Sequence, residues 1–296
     1  MSAIDRNDVA STIKEGFATD FLDQTSEGSV ILSAFPTRPM TEGTERLPVA
    51  NGGAEAHFVK QWRKDDGDNA DAIKPTSIID WTDQELVAEE IAHIIAVHDN
   101  DIQDASIDLL SDITRQGAEA VSRKLDNVIL NGGAPATWAK SFDEAAAVSG
   151  QEILVGTDAV DTLDALVQAE GLLSDSGFND PVFITRKSLA NRIRYARDSK
   201  GNLLGAGDVL GDFNPVFASN NLLDNGVEGY LVDRTSVLVG VRSDLQVKLL
   251  TEATLTGVGN LAELDMTGVR FAFRAGYALK DSKAVVAVRR TASAGS

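Results

Sequence analysis

An α+β fold is predicted from three observations. A β-like run covers 91–98, a spine-length amphipathic helix follows at about 105–130, and short alternating runs of β-branched and aromatic residues occur after 236. Within the helix, Ile107, Leu110, Ile113, Gly117, Val121, Leu125 and Val128 recur every three or four positions and form one apolar stripe. The opposite face is read as charged, with Asp108, Asp112, Arg115, Glu119, Arg123 and Asp126 expected to stay solvated there. Asp104 or Ser106 is placed to cap the free amides at its start, and Asn131-Gly132-Gly133 permits a left-handed stop. At 1.5 Å per residue such a helix spans roughly 35 to 40 Å, the width of a domain, so it must cross the whole body.

Before this helix, Pro36, Pro39 and Pro48 with Gly28, Gly43, Gly52 and Gly53 are expected to break any long element in 1–56, leaving only 8–22 helical. Next, 57–62 alternates like a strand, 64–69 reads as a turn, and 78–81 with 86–97 offers a return arm. An isolated hairpin of this length is marginal in water, which predicts that it packs against another subunit.

After the spine, Asp158 is placed to cap a helix whose Val160, Leu163, Val167 and Leu173 face inward until Ser176-Gly177 ends it. A strand at 181–185 leads into a second helix, 185–199, which buries Leu189, Ile193 and Ala196. That helix carries Arg186, Lys187, Arg192, Arg194 and Arg197, followed by Lys200, the densest basic patch in the chain. It reads either as a solvated face or as a contact with a neighbour's acidic segment or with DNA. Gly201, Gly205, Gly207 and Gly211 form an adaptable loop rather than a phosphate cradle, because Asp208 and Asp212 would repel an anion. The last strands are expected at 236–242, 245–250, 269–279 and 284–288. Val269, Phe271, Phe273, Ala275 and Tyr277 share one face and Arg270 and Arg274 the other, as in a sheet packed on one side.

The chain has 296 residues, 43% hydrophobic and 24% charged, enough to bury a substantial core as one or two domains. No run of eighteen apolar residues occurs and the amino terminus lacks the basic-then-apolar order of a signal, so neither membrane insertion nor export is expected. The absence of cysteine excludes disulfides and thiolate metal sites. A net charge of −18 argues against a phosphate-neutralising nucleic-acid binder. Residues 1–110 hold 8 basic and 22 acidic side chains, whereas 111–296 hold 19 and 23, so the surplus lies in the first third. Those acidic segments either keep the chain soluble or lie across less acidic surfaces of neighbouring copies.

A search for catalytic sets predicts none. His57, His93 and His98 have no nucleophile motif beside them, and the five-residue spacing of His93 and His98 makes packing or surface roles more fitting than metal ligation. The acidic run 66–71 departs from a calcium loop, lacking glycine at the sixth position and glutamate at the twelfth, where Ser77 stands. No catalytic, metal or cofactor-binding residue is therefore predicted.

In its order of motifs the chain resembles the major capsid proteins of tailed bacteriophages. The resemblance rests on the strand ending Ile91-Ala92-His93, the acidic turn, the spine-length helix with its Asn-Gly-Gly end, and Pro181 to Thr185 leading into a helix. Arg197 to Leu204, Asn214-Pro215-Val216-Phe217-Ala218-Ser219 and the closing run 269–288 continue it, so that it covers roughly 57–290. The resemblance implies an amino-terminal arm (1–56), an extended β-hairpin loop overlapping a neighbour (57–98), and a spine helix with a peripheral-domain segment (99–157). It further implies an axial domain (158–230) and a peripheral sheet with carboxyl-terminal strands (231–296). A shell of pentamers and hexamers enclosing double-stranded DNA is the implied function, built in the host cytoplasm, with no enzyme activity and no cofactor. An encapsulin-like compartment is the alternative, and a soluble hydrolase the remote one. Contact candidates between subunits are Trp62, Lys64, Trp81, Arg186, Arg192, Arg194 and Arg197. Trp62 and Trp81 either anchor a neighbour or pair with each other across the hairpin. Lys60, Lys64 or Lys74 could supply an amine to the lysine–asparagine crosslink of some relatives, but Asn260 with Glu263 departs from the usual spacing and no crosslink is predicted. Partners implied are further copies of the chain and a portal, with a decoration protein left open. If Met1 is the true start, the stretch before the hairpin is too short for a fused scaffold, so a separate scaffolding protein is expected.

Overall fold

The computed structural model describes residues 25, 28–51, 80–104, 109–135, 137–156, 159–194, 197, 213–219, 221–224 and 226–290. The expected helix at 8–22, the strand at 57–62, the loop at 64–71 and the glycine loop at 201–211 lie outside them.

Two five-stranded sheets and six α-helices make up the described body. The amino-terminal part holds α1 (Val30–Ala34), β1 (Thr37–Met40), β2 (Thr44–Asn51) and β3 (Asp80–His98), followed by α2 (Asp99–Asp104) and the spine helix α3 (Leu109–Asn131). Next come α4 (Phe142–Ser149), β4 (Glu152–Val155), α5 (Ala159–Asp175), β5 (Pro181–Arg186), α6 (Lys187–Arg194) and β6 (Pro215–Ala218). The chain closes with β7 (Val227–Asp233), β8 (Val237–Leu250), a small pair of β9 (Thr254–Leu255) and β10 (Gly259–Asn260), then β11 (Met266–Leu279) and β12 (Val285–Arg290).

The first sheet has the order β1-β8-β11-β3-β2. Contrary to the expectation for 1–56, Pro39 and Pro48 sit within strands, and both strands are at the sheet's edges, where a missing N–H leaves no ladder bond unmade. The return arm is one continuous strand, β3, and its first half pairs with β2 from Thr44↔Val87 to Asn51↔Asp80. Its second half pairs with β11 from Gly276↔Ala88 to Met266↔His98.

The spine lies against the first sheet by the stripe the sequence marks. Ile113, Gly117, Val121, Leu125 and Val128 are buried, while Arg115, Glu119 and Arg123 are exposed. Asp112, Arg115 and Glu119 form a chain of i,i+3 and i,i+4 contacts at 2.5 and 2.7 Å. At Gly117 the helix lies close against the sheet, and an added Cβ would stand 2.9 Å from Cε2 and Cζ of Phe271. Gly132 and Gly133 take φ of 105° and 80°, ending the helix as expected. One side chain overturns the expected pattern: Asp126, expected in solvent, is 2% exposed.

The second sheet runs β4-β12-β7-β5-β6. The 284–288 run expected as a strand pairs with β7 and β4 and so belongs to this second sheet. Both faces of this sheet are covered, which accounts for its unbroken apolar runs. Val182, Ile184, Tyr230, Val232, Val285 and Ala287 enter the main core beside the spine, while Phe183, Leu231, Val286 and Val288 enter a second core under α5 and α6. In α5 the buried face is Thr162, Ala165, Leu166, Ala169 and Leu173; Val167, expected inward, is 56% exposed. The helix expected from 185 begins at Lys187, since Thr185 and Arg186 complete β5.

Candidate functional site

Three features decide what this body can present to other molecules. The first is the joint between the sheets. Phe142 opens α4 behind a capping box in which Ser141 and Glu144 satisfy each other's free amides. Its ring meets Phe35, Tyr230 and Tyr277 edge-on, with centroids 5.8, 6.1 and 6.1 Å away. Tyr230 belongs to the second sheet, Tyr277 to the first, and Phe35 to the amino-terminal segment, so one ring holds all three together. Each phenol has a partner: Tyr277 donates to the Lys140 carbonyl at 3.1 Å, and Tyr230 to Asp143, which also receives Arg289 at 2.7 Å. Burial first, then the nearby Asp143 or Glu144 carboxylate, pushes both hydroxyls well above the ordinary tyrosine range.

The second feature is the basic patch, which is turned partly inward. Arg186 donates through Nη2 to the carbonyls of Leu223 and Asp224, each at 2.7 Å. Arg192 lies 3.5 Å from Glu228 Oε1, and Arg290 reaches the same oxygen at 2.5 Å; the Glu228 side chain is only 3% exposed. These arginines therefore fasten Leu223 and Asp224 to β5, and Glu228 to α6 and β12. Arg194 lies in α6 and Arg197 is exposed. Nothing in the sequence marks Glu228 as their partner, because the contact spans 36 residues to Arg192 and 62 to Arg290.

The third feature is the hairpin base. Trp81 is 63% exposed on β3. Its register partner on β2 is Ala50. Trp62 and Lys64 lie outside the described residues. Behind the hairpin, Trp138 Nε1 donates to the Val87 carbonyl at 3.0 Å and Thr137 to Glu89 at 2.6 Å, tying the loop after the spine to β3.

Chemistry is thin on these surfaces. His93 stacks on Phe271 at 5.0 Å, and burial lowers its pKa. Among the described residues no group of three His, Asp or Glu side chains could hold a metal, and no helix is long and apolar enough to cross a membrane. Asn260 donates to Glu263 at 3.2 Å within one short turn.

The family model described as the phage capsid family matches residues 10–289. The chain belongs to the phage capsid family. A solved structure from Mycobacterium phage Bobi is 32% identical, with a TM-score of 0.77 over 99% of this chain and 100% of that one. One from Mycobacterium phage Cain is 31% identical over the same shares, also with a TM-score of 0.77. One from Microbacterium phage Oxtober96 is 30% identical, with a TM-score of 0.75 over 89% and 91%. No curated protein matches. Within the phage capsid family the role is that of a major capsid protein of a tailed phage, a structural subunit of the virion shell. The joint, the spine and the two sheets form the body of that subunit.

Proposed function

We propose that copies of this chain associate as pentamers and hexamers that close into an icosahedral shell around double-stranded DNA. The observation that carries this reading is the family match over residues 10–289 together with end-to-end similarity to a Mycobacterium phage structure. The physical design supports it. Closure around rings needs heterologous contacts, and the same subunit must meet slightly different neighbours. A body fused through one aromatic joint supplies the constant part.

In this proposal 1–56 is an arm, 57–98 the loop laid over a neighbour, 99–157 the spine with a peripheral segment, 158–230 the axial domain, and 231–296 the peripheral sheet with closing strands. Trp81, together with Trp62 and Lys64, forms the overlap contact; its exposure on β3 favours anchoring in a neighbour. Arg194 and Arg197 carry the ring contact with acidic segments, while Arg186 and Arg192 shape the turn behind them. A scaffolding protein and a portal complete assembly in the host cytoplasm, and DNA is contained without sequence-specific binding. The work is mechanical rather than catalytic. Phage sources for the relatives above favour this shell over a cellular compartment.

Electron microscopy of the purified full-length chain, alone and with its scaffolding partner, tests the proposal. Closed shells are expected. A stable 31.5 kDa monomer under every assembly condition would overturn it.

A further inference from the structure

The long strand β3 changes neighbours halfway along. Asp80 to Val87 lies beside β2, whereas Ala88 to His98 pairs with β11 on the other side. Among the described residues no strand covers the edge of Ala88 to His98 that is turned away from β11. Two amides show which groups that edge offers. Ala88 donates away from β11, to the Gly43 carbonyl at 2.8 Å, and Asp99 donates towards it, to the Asp265 carbonyl at 2.9 Å. The register between them has no shift, so the N–H and C=O of Glu90, Ala92, Ile94 and Ala96 all point to the open side. An unpaired row of this kind is a template for a further strand.

Two cavities flank the row, one on each face of the sheet. On the spine side, Ile91, Val128, Pro135 and Trp138 line a groove of about 440 Å³ that also carries Glu89, Glu90 and Lys124. On the outer face, the exposed Ile94 and Val258 with Leu255 line one of about 760 Å³ that carries Arg270. A strand laid on the edge sends alternate side chains into the two grooves.

We propose that residues 57–62 of a neighbouring copy join this edge as a sixth strand of the first sheet. The proposal rests on the reading of 57–98 as a loop laid over a neighbour, and it assigns the surface that the loop meets. His57-Phe58-Val59-Lys60-Gln61-Trp62 contains aromatic and β-branched residues and neither glycine nor proline. Phe58 and Trp62 share one side with Lys60 between them, which suits the spine-side groove, where Pro135 and Trp138 stand with Glu89 and Glu90. His57, Val59 and Gln61, with no formal charge, fall to the outer groove that holds Arg270. The stretch 1–24 fits the acidic side less well, having five acidic and two basic side chains. Reach decides that the occupant comes from a second copy. His57 is six residues past Asn51 and so at most about 21 Å from it. Glu90 is ten residues past Asp80, the register partner of Asn51, which is about 33 Å along β3. The segment therefore cannot be laid whole on the open edge of its own chain.

Residue-resolved amide hydrogen exchange of the full-length chain, unassembled and in closed particles, tests the edge. The amides of Glu90, Ala92, Ile94 and Ala96 are expected to slow on the order of 100-fold on assembly, while those of Ile91, His93 and Ile95, turned towards β11, are protected in both states. Unchanged exchange at the four amides would overturn the proposal, and this measurement needs no variant. Because the chain has no cysteine, Val59→Cys takes a single benzophenone label, whose photochemical attachment is read by mass spectrometry in particles mixed from heavy- and light-isotope copies. Attachment to 88–98 or 254–258 of another copy is expected. Attachment elsewhere on another copy would overturn the edge pairing and leave the overlapping loop standing, whereas attachment confined to its own copy would overturn both.

Discussion

Gly117→Ala should weaken this protein although alanine is the better helix former. In an exposed helix interior that change stabilises by about 1 kcal/mol. Here the new methyl carbon would stand 2.9 Å from two ring carbons of Phe271 and 3.0 Å from a third, against the roughly 3.5 to 4.0 Å that carbon atoms prefer. The ring has little room to retreat: Phe271 is fully buried, and His93 stacks on it at 5.0 Å. Overpacking of this kind costs about 1 to 3 kcal/mol, and against a ring held this firmly the upper half of that range applies, so after the helix gain a net loss of about 1 to 2 kcal/mol is expected. Urea unfolding of the unassembled full-length chain, followed by far-ultraviolet circular dichroism, measures it. Phe271→Leu shortens the opposing side chain and should reduce the penalty of Gly117→Ala, giving a coupling of about 1 kcal/mol in a double-mutant cycle. An alanine variant as stable as the parent, or strictly additive effects, would refute the close approach as the reason for this glycine.

Glu228→Gln leaves Arg192 and Arg290 without their shared carboxylate and, because the Arg290 side chain is half exposed and stays solvated, should cost about 1 to 2 kcal/mol, read as a lowered thermal midpoint of the unassembled chain. An unchanged midpoint would show that the arginines find other acceptors. Tyr277→Phe removes the hydrogen bond to the Lys140 carbonyl while keeping the ring, for a loss of about 1 kcal/mol in the same assay. Spectrophotometric titration should show Tyr230 and Tyr277 ionising only as the alkaline protein unfolds, and normal phenol titration in the native state would contradict their burial. Trp81→Ala should leave the subunit's unfolding within about 0.5 kcal/mol of the parent, as for exposed positions generally, while lowering shell yield by light scattering. Normal shell yield would remove Trp81 from the contacts.

The spine and the strand entering it were legible because their patterns are local: a 3.6-residue stripe closed by glycines, and β-branched runs. Pro39 and Pro48 misled because proline forbids an inner strand but not an edge one, and edge position is a property of the sheet, not of the segment. The 284–288 run was recognised as a strand but not placed in a sheet, since a strand buried on both faces has no alternation to reveal which sheet it joins. Asp126 was misplaced for a related reason. An acid beside Leu125 and near Val128 reads as the edge of the polar face, and only the docking of Ser29 from 97 residues away turns that position inward. Ser29 did carry a signal, being a capping residue before the apolar run Val30-Ile31-Leu32. Of the seven contact candidates, the arginines show the limit most clearly: composition finds a cationic helix, but Arg186 and Arg192 are occupied by their own chain.

The meeting of Phe35, Phe142, Tyr230 and Tyr277 also bears on how such a subunit can fail. Because rings from both sheets and from the amino-terminal segment share one contact, opening either sheet at the joint strips packing from the other. Damage near the joint would therefore remove a whole molecule from the pool of assembly-competent copies instead of leaving a half-folded one able to enter a growing wall. For a structure built from many identical pieces, losing a piece is a smaller fault than incorporating a defective one.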